Sequence, residues 1–143
     1  MSLHLDVGVQ PITGYTLIRL LGRGGFGEVW EASAPGDFHV ALKFLRLEMR
    51  EARLEQRALE VIRNVRHGHL LDVQFAIRVA DCLVIAMPLC DQSLMDRLNA
   101  CRAEGRPGVP RNELLLYMEE LARAVDYLNE PRHRAEDGSL VGI

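Results

Sequence analysis

Three glycines near the amino terminus constrain the fold of this chain more than any other feature of its sequence. Gly22, Gly24 and Gly27, followed by Val29, fit the pattern G-x-G-x-x-G-x-V. Strand-forming β-branched and aromatic residues precede the glycines, and the segment from 28 to 32 also has the composition of a strand. The sequence therefore predicts two strands joined by a glycine hairpin. Such a hairpin can lie over a phosphate chain, because glycine lets backbone N–H groups approach closely.

Two other phosphate-binding loops are excluded by the surroundings of these glycines. A dinucleotide-binding fingerprint requires a helix directly after its glycines, whereas a strand is predicted here. A Walker loop ends in Gly-Lys-Ser/Thr, whereas this one continues as Gly27-Glu28. A second motif, Val40-Ala41-Leu42-Lys43, fits V-A-I-K with one conservative change. A lysine on such an apolar strand needs an anionic partner wherever its ammonium group is covered.

Composition sets limits on the class of protein. The chain has 143 residues, 48% hydrophobic and 26% charged, which is ordinary for one soluble globular domain. Its net charge of −3 gives no electrostatic reason to expect nucleic acid or a membrane surface as a partner. Three cysteines without a C-x-x-C spacing favour free thiols in a reducing compartment, so we expect a cytoplasmic protein. No apolar run is long enough for a membrane segment, and we expect no metal site at His67 and His69.

The order of the predicted elements indicates an α+β fold. Residues 1–14 form a loose lead-in, and the helix at 48–66 lies between the third and fourth of five strands. The strands are predicted at 15–21, 28–34, 39–45, 70–80 and 83–87. Turns are predicted at Pro35-Gly36-Asp37, between the second and third strands, and at Asp137-Gly138. Two helices follow at 93–104 and 112–129, the first with Ser93 as its N-cap. The second has an apolar stripe that marks one buried face, made of Leu114, Met118, Leu121, Val125 and Leu128.

Taken together, these motifs resemble the first half of a eukaryotic-type protein kinase domain, of the serine/threonine type found in bacteria. The resemblance covers residues 15–143. It includes Arg66–Leu71, similar to the family's R-H-P-x-L-L stretch with Gly68 in place of proline, and Leu83–Met87, similar to the strand before the hinge. It implies a kinase N-lobe and hinge over 15–90, with a five-stranded antiparallel sheet and one helix. The first two helices of a truncated C-lobe would follow over 91–143.

The resemblance assigns nucleotide-binding roles to residues of both motifs and of the hinge. The three glycines would cover the ATP phosphates, and Lys43 would hold the α- and β-phosphates. Leu21, Val29 and Ala41 would pack on adenine, although apolar strand residues are core residues by default. Met87 falls at the gatekeeper position, and the hinge residues Pro88 and Cys90 keep the backbone groups that adenine requires. Ser93 or Asp96 would either reach the ribose or cap the following helix.

The helix glutamate that the family pairs with the strand lysine does not fall at the expected position. The usual spacing from His67 leads to Ala58, which cannot form an ion pair. Glu55 lies one helical turn earlier on the same face. We predict that Glu55 is the partner of Lys43 if the helix is shifted; otherwise it is a solvated charge.

The H-R-D-x-x-x-x-N and D-F-G motifs, which supply the catalytic base and the Mg²⁺ ligands of the family, do not occur in this sequence. The segment Leu140–Ile143 resembles the strand that leads into H-R-D. The resemblance thus implies an ATP-dependent serine/threonine protein kinase with a protein substrate, present here as an N-terminal portion without catalytic or metal-binding residues. We expect this portion to bind ATP but not to transfer phosphate. In the whole fold, later segments would cover the apolar stripe of the 112–129 helix; in this chain we expect the stripe to be partly bare and prone to association. The alternatives are a non-catalytic nucleotide-binding or interaction module, or an unrelated α+β binding domain.

Overall fold

A five-stranded antiparallel sheet forms the centre of the first of two units in this computed structural model. The structure describes residues 3–25, 27–46, 65–131, 133–134 and 140–141. The first unit comprises Met1–Val65 and Leu71–Leu89, and the second comprises Arg66–Leu70 and Cys90–Ile143. The strands are β1 (Thr16–Gly24), β2 (Gly27–Ala34), β3 (Phe38–Arg46), β4 (Phe75–Val79) and β5 (Cys82–Pro88), in the spatial order β1-β2-β3-β5-β4. The predicted five-stranded antiparallel sheet is confirmed.

The strand boundaries differ from the prediction at two places. β1 continues through Gly22 and Gly24 as far as the hairpin turn, so these glycines belong to the strand itself. The fourth strand, predicted at 70–80, covers only Phe75–Val79. The apolar residues before it do not continue the ladder, because the chain turns at 67–70, where the Leu70 amide donates to the His67 carbonyl.

Residues with positive φ form the tight connections of the sheet. Gly36 (φ 84°) and Asp37 (φ 59°) form the predicted turn between β2 and β3. Ala80 (φ 54°) opens the two-residue turn between β4 and β5. Left-handed backbone matches the twist of antiparallel hairpins, and Gly and Asp tolerate it at little steric cost.

One face of the sheet carries the hydrophobic core, and the amino-terminal segment packs against it. The buried cluster consists of Leu17, Trp30, Ala32, Val40, Leu42, Phe44, Val84 and Ala86. Leu3, Leu5 and Ile12 contact this cluster. The Leu17 amide donates to the Val9 carbonyl over 2.9 Å, and the Leu3 amide donates to the Asp81 carboxylate over 3.2 Å. Residues 3–14, predicted as a loose lead-in, thus cover part of the core with apolar side chains.

Two helices and a short ladder make up the second unit. They are α1 (Leu94–Ala103), α2 (Arg111–Asn129), and the antiparallel pair β6 (His133–Arg134) and β7 (Leu140–Val141). Ser93 caps α1 as predicted, since its hydroxyl accepts from the Asp96 amide while the Asp96 carboxylate accepts from the Ser93 amide. Arg97 on α1 and Glu113 on α2 form a two-pronged ion pair of 2.6 and 2.9 Å. These contacts fix the two helices to each other.

The apolar stripe of α2 is exposed to a large extent, as expected for this chain. Leu114, Met118, Leu121 and Val125 are 37–53% exposed, and Ala124 is the one buried residue of this helix. The pattern of the stripe is that of a buried helix face, but within the described chain no element covers it. These four side chains therefore stay partly open to solvent.

Other predictions fall outside the described residues. They concern most of the 48–66 helix, including Glu55, and the turn at 137–138. Val65 and Arg66, at the predicted end of that helix, lie outside regular secondary structure.

Candidate functional site

Most of the predicted site residues of the first unit share the face of the sheet opposite the core. Paired residues in antiparallel strands point to the same side, and residues two apart on one strand do so too. Gly22 pairs with Val29, Val29 with Lys43, and Lys43 with Ile85, which gives one row across four strands. In the adjacent row Ala41 pairs with Met87. The register thus places Val29, Lys43, Ala41 and Met87 together; we call this surface the Lys43 face.

Lys43 is the only lysine in the sequence, which also contains sixteen arginines. Its side chain is half-buried, in the middle strand of the sheet. In the part of the chain that the structure describes, no carboxylate lies within ion-pair distance of its ammonium group. Its predicted partner, Glu55, lies outside the described residues. A half-buried ammonium group in this position fits an anionic ligand as a compact point charge.

The glycines of the hairpin differ in what surrounds them. Gly27 has a φ of 145°, and a Cβ added there would overlap the carbonyl oxygen of Phe44 on β3. Glycine at 27 is therefore required by the close pairing of β2 with β3. A Cβ added at Gly22 or Gly24 would meet no described atom within 4 Å. Nothing in the described part of the chain requires glycine at these two positions or fills the space beside them.

Leu21 owes its position to an irregularity in the ladder. The pairing of β1 with β2 shifts between Leu20 and Gly22, so Leu21 has no partner residue on β2. Its side chain is 37% exposed. A bulge of this kind re-aims a side chain at the edge of a sheet.

A buried carboxylate also belongs to the Lys43 face, and the sequence analysis did not identify it. Glu31 is 6% exposed and pairs with Ala41. Its Oε1 accepts a hydrogen bond of 2.6 Å from His39 Nδ1, and its Oε2 lies 2.6 Å from Arg19 Nε. The hydrogen bond from His39 and the charge of Arg19 lower the pKa of Glu31, against the opposing effect of burial. Glu31 therefore stays ionised and paired beside Ala41.

A sequence signal for Glu31 was available. Glu31 lies two residues after Val29, so the two-residue period of a strand places both side chains on one face of the sheet. Its partners could not be found in this way, because Arg19 and His39 come from neighbouring strands and become adjacent only through the register.

The predicted hinge residues are divided between the two units. Met87 is half-buried near the end of β5, and Pro88 is the exposed last residue of that strand. Pro88 pairs with Val40, whose side chain is in the core, so its ring does not belong to the Lys43 face. Cys90 is an exposed free cysteine of the second unit. Ser93 and Asp96, the two residues considered for the ribose, form the cap of α1.

Two further properties concern the described residues as a whole. No group of three or more His, Cys, Asp or Glu side chains lies close enough together to hold a metal ion there. Neither α1 nor α2 is long and apolar enough to cross a membrane.

Comparisons with known proteins agree with this arrangement. The protein kinase domain family matches residues 15–134. Protein-tyrosine kinase 6 of Mus musculus is 27% identical over 135 residues, which cover 94% of this chain and 30% of that protein. Serine/threonine-protein kinase 33 of Bos taurus is 24% identical over 131 residues, covering 89% of this chain and 26% of that protein. Carbon catabolite-derepressing protein kinase of Candida tropicalis is 26% identical over 138 residues, covering 91% and 21%.

These relatives include both tyrosine and serine/threonine kinases, so the bacterial serine/threonine type stays a prediction. The chain spans less than a third of the length of each relative named here. The five-stranded sheet followed by two helices has the architecture of a kinase N-lobe and the start of a C-lobe. The match extends over most of the chain, and the chain therefore belongs to the protein kinase domain family.

Proposed function

We propose that this chain binds ATP on the Lys43 face and forms the nucleotide-binding part of an ATP-dependent protein kinase. The observation that carries the proposal is the register that places Lys43 beside Val29 and Gly22, next to the row of Ala41 and Met87. The ammonium group of Lys43 and the backbone N–H groups of the glycine hairpin can bind phosphates, and the apolar side chains of Val29, Ala41 and Met87 can contact an adenine ring.

Each predicted site residue has a separate task in the proposal. Lys43 binds the α- and β-phosphates, while the backbone N–H groups of the glycine hairpin lie over the phosphate chain. Leu21, Val29 and Ala41 pack on the adenine ring, and Met87 bounds its pocket. Pro88 and Cys90 offer backbone groups to adenine, and Glu55 orients Lys43. Magnesium would neutralise phosphate charge, and the family's ligands for it belong to motifs that this sequence lacks.

The first test is ATP binding by a Lys43→Met variant. We expect the Kd for ATP to rise at least about tenfold, because a charge-assisted contact with phosphate is lost. The matched control is Arg78→Met, which removes an exposed cation from the edge strand β4 of the same sheet and should leave the Kd unchanged. An unchanged Kd in Lys43→Met would favour an unrelated α+β binding domain.

Because Lys43 is the only lysine, amine-reactive labelling gives an independent test. Apart from the amino terminus, Lys43 is the one aliphatic amine that an acylating reagent can modify. We expect ATP to slow the acylation of Lys43, measured by mass spectrometry, while the terminal amine reacts at the same rate with and without ATP. Equal labelling of Lys43 in both samples would contradict binding at this face.

Phosphate transfer to serine or threonine is proposed for the whole kinase. The intact mass of the protein in its native cell, with the reading frame beyond Ile143, tests this. A larger product with H-R-D and D-F-G supports the kinase, and phosphoamino-acid analysis of its substrate then distinguishes serine and threonine from tyrosine. A product of 16.1 kDa would instead support a non-catalytic nucleotide-binding or interaction module.

We also propose a cytoplasmic location. Cys82, Cys90 and Cys101 are all free thiols, which is typical of a reducing compartment. Fractionation of native cells is the corresponding measurement.

A further inference from the structure

The carboxylate of Glu28 connects the glycine hairpin to the hydrophobic core. It lies on the face of the sheet opposite to the Lys43 face. Glu28 Oε1 lies 3.0 Å from Arg23 Nε, and Glu28 Oε2 accepts a hydrogen bond of 2.9 Å from Trp30 Nε1. The Glu28 side chain is 16% exposed, whereas that of Arg23 is 65% exposed. Both carboxylate oxygens thus have a partner, one on β1 and one on β2. We call this pair of contacts the Glu28 clasp.

The positions of the two partners explain what the Glu28 clasp can do. Arg23 pairs with Glu28 directly before the last pair of the hairpin, Gly24 with Gly27. Trp30 is 5% exposed and belongs to the buried cluster of the core. Glu28 therefore joins a residue near the tip of the hairpin to a side chain that the core holds in place.

The Glu28 clasp leaves the Lys43 face free. Glu28 and Trp30 are two residues apart and point to the core side, whereas Val29 between them points to the Lys43 side. A ligand beside Lys43 would not compete with the Arg23 or Trp30 contacts of Glu28.

We propose that Glu28 is a positioning residue, which holds the glycine hairpin in a fixed place over the nucleotide through Arg23 and Trp30. This inference rests on the proposed ATP binding. No described atom lies within 4 Å of the place that a Cβ would take at Gly22 or Gly24, so among the described residues this end of the hairpin is held by its ladder and by the contacts of Glu28. A ligand that binds a hairpin already held in place does not lose affinity to the ordering of that segment.

The main test compares Glu28→Gln with the unmodified chain. Glutamine keeps the size of the side chain and can still accept from Trp30, but it loses the ion pair with Arg23. We expect faster amide hydrogen exchange at residues 23–28 and a Kd for ATP raised roughly threefold to tenfold, since a partly exposed ion pair contributes modestly. The matched control is Glu119→Gln, which removes the exposed ion pair of Glu119 with Arg123 in the second unit. It should change neither quantity.

A charge reversal separates the ion pair from other effects of substitution. Arg23→Glu and Glu28→Arg should each weaken ATP binding, and the double variant should bind ATP more tightly than either single variant, because the ion pair is rebuilt in reverse. The recovery should be partial, because an arginine at position 28 cannot accept from the Trp30 indole. Trp30 is the only tryptophan, so its fluorescence reports on the Glu28 contact without nucleotide. We expect an emission change in Glu28→Arg, which removes the acceptor of the indole N–H.

The outcomes distinguish this inference from the proposed function. Unchanged hydrogen exchange in Glu28→Gln, or a double variant no better than the single ones, would overturn the Glu28 clasp whether or not ATP binds. Faster exchange with an unchanged Kd would show a purely structural contact and overturn the positioning role. An unmodified chain that does not bind ATP would overturn the proposed function itself, and the positioning role with it.

Discussion

The three motif glycines have different neighbours, and these neighbours determine how much each glycine-to-alanine substitution should destabilise the fold. At Gly27 the neighbour is the backbone of β3, where the Phe44 carbonyl occupies the space of a side chain. At Gly24 no described atom lies within 4 Å of the place that a Cβ would take. One motif therefore combines a glycine that the sheet requires with a glycine that the sheet does not.

Gly27→Ala should destabilise the fold by about 2–4 kcal/mol, because the backbone of β2 or β3 must move and the φ of 145° is unfavourable for alanine. Urea unfolding of the chain measures this. Gly24→Ala is the matched control within the hairpin, and we expect its free energy of unfolding to change by less than about 0.5 kcal/mol. Equal stabilities of the two variants would contradict the assignment of Gly27 to the β2–β3 contact.

At the scale of single elements, α1 depends on its capping box. Ser93 accepts from the Asp96 amide over 3.1 Å, and the Asp96 carboxylate accepts from the Ser93 amide over 2.8 Å. The hydrogen bonds from Ser93 also lower the pKa of Asp96. The resemblance also offers these two residues as ribose ligands. Stability reports on the cap and ATP affinity reports on a ribose contact, so the two roles can be tested separately.

Ser93→Ala should lower the free energy of unfolding by about 1 kcal/mol, because the amide of Asp96 loses its acceptor. Thermal unfolding followed by circular dichroism measures the change. Ser93→Asp is the conservative control and should recover most of the loss, since aspartate is an equally good N-cap. A loss of ATP affinity in Ser93→Asp, with stability retained, would point back to the ribose.

The contact between α1 and α2 should make stability depend on pH. Hydrogen bonds from Arg97 and then Tyr117 lower the pKa of Glu113 to about 2, from an ordinary value of 4.5. A carboxylate with a lowered pKa in the folded state binds fewer protons there than in the unfolded state. Its contribution to stability is therefore complete above pH 4.5 and is lost as the pH falls towards 2.

Glu113→Gln removes this contribution. We expect the variant to be less stable than the parent chain at about pH 7, and the difference between them to shrink as the pH falls from 4.5 towards 2. Urea unfolding at a series of pH values measures both curves. A difference that is independent of pH would contradict a role for the ionised carboxylate of Glu113.

At the scale of the whole molecule, α2 presents an apolar surface to solvent. Met118 is 42% exposed and Leu121 53%, and Leu114 and Val125 lie on the same stripe. Contiguous exposed apolar patches of this kind promote association.

We expect the 143-residue chain to self-associate as its concentration rises, which light scattering detects. The double variant Met118→Gln with Leu121→Gln should shift the scattering mass towards the monomer. Leu115→Gln is the matched control, because Leu115 is similarly exposed (56%) but lies about 100° around the helix from Leu114. A monodisperse monomer of the parent chain at all concentrations would contradict association.

Most of the observed strands and helices, and much of the motif chemistry, could be predicted from the amino-acid sequence. Local patterns were sufficient for this, because glycines, turn residues and apolar spacing act within a few neighbouring residues. The β1–β2 hairpin, the turn at Pro35–Asp37, the Ser93 cap and α2 were all predicted close to their observed positions. The strand period also placed Val29 two residues from Glu31, and Ala41 two residues from Lys43, on common faces.

The groups that those faces bring together could not be predicted, because they come from different strands of the assembled sheet. In the sheet β5 lies beside β3, and the β1–β2 ladder shifts at Leu21. The side-chain contacts between strands depend on this strand order and register, which no local pattern specifies. This register joins Glu31 to Arg19 and His39, and Glu28 to Arg23 and Trp30. Leu3 and Leu5 cover part of the core, whereas the apolar stripe of α2 stays exposed. Burial is a property of the assembled surfaces, because it depends on which element lies opposite, and a single segment does not contain that information.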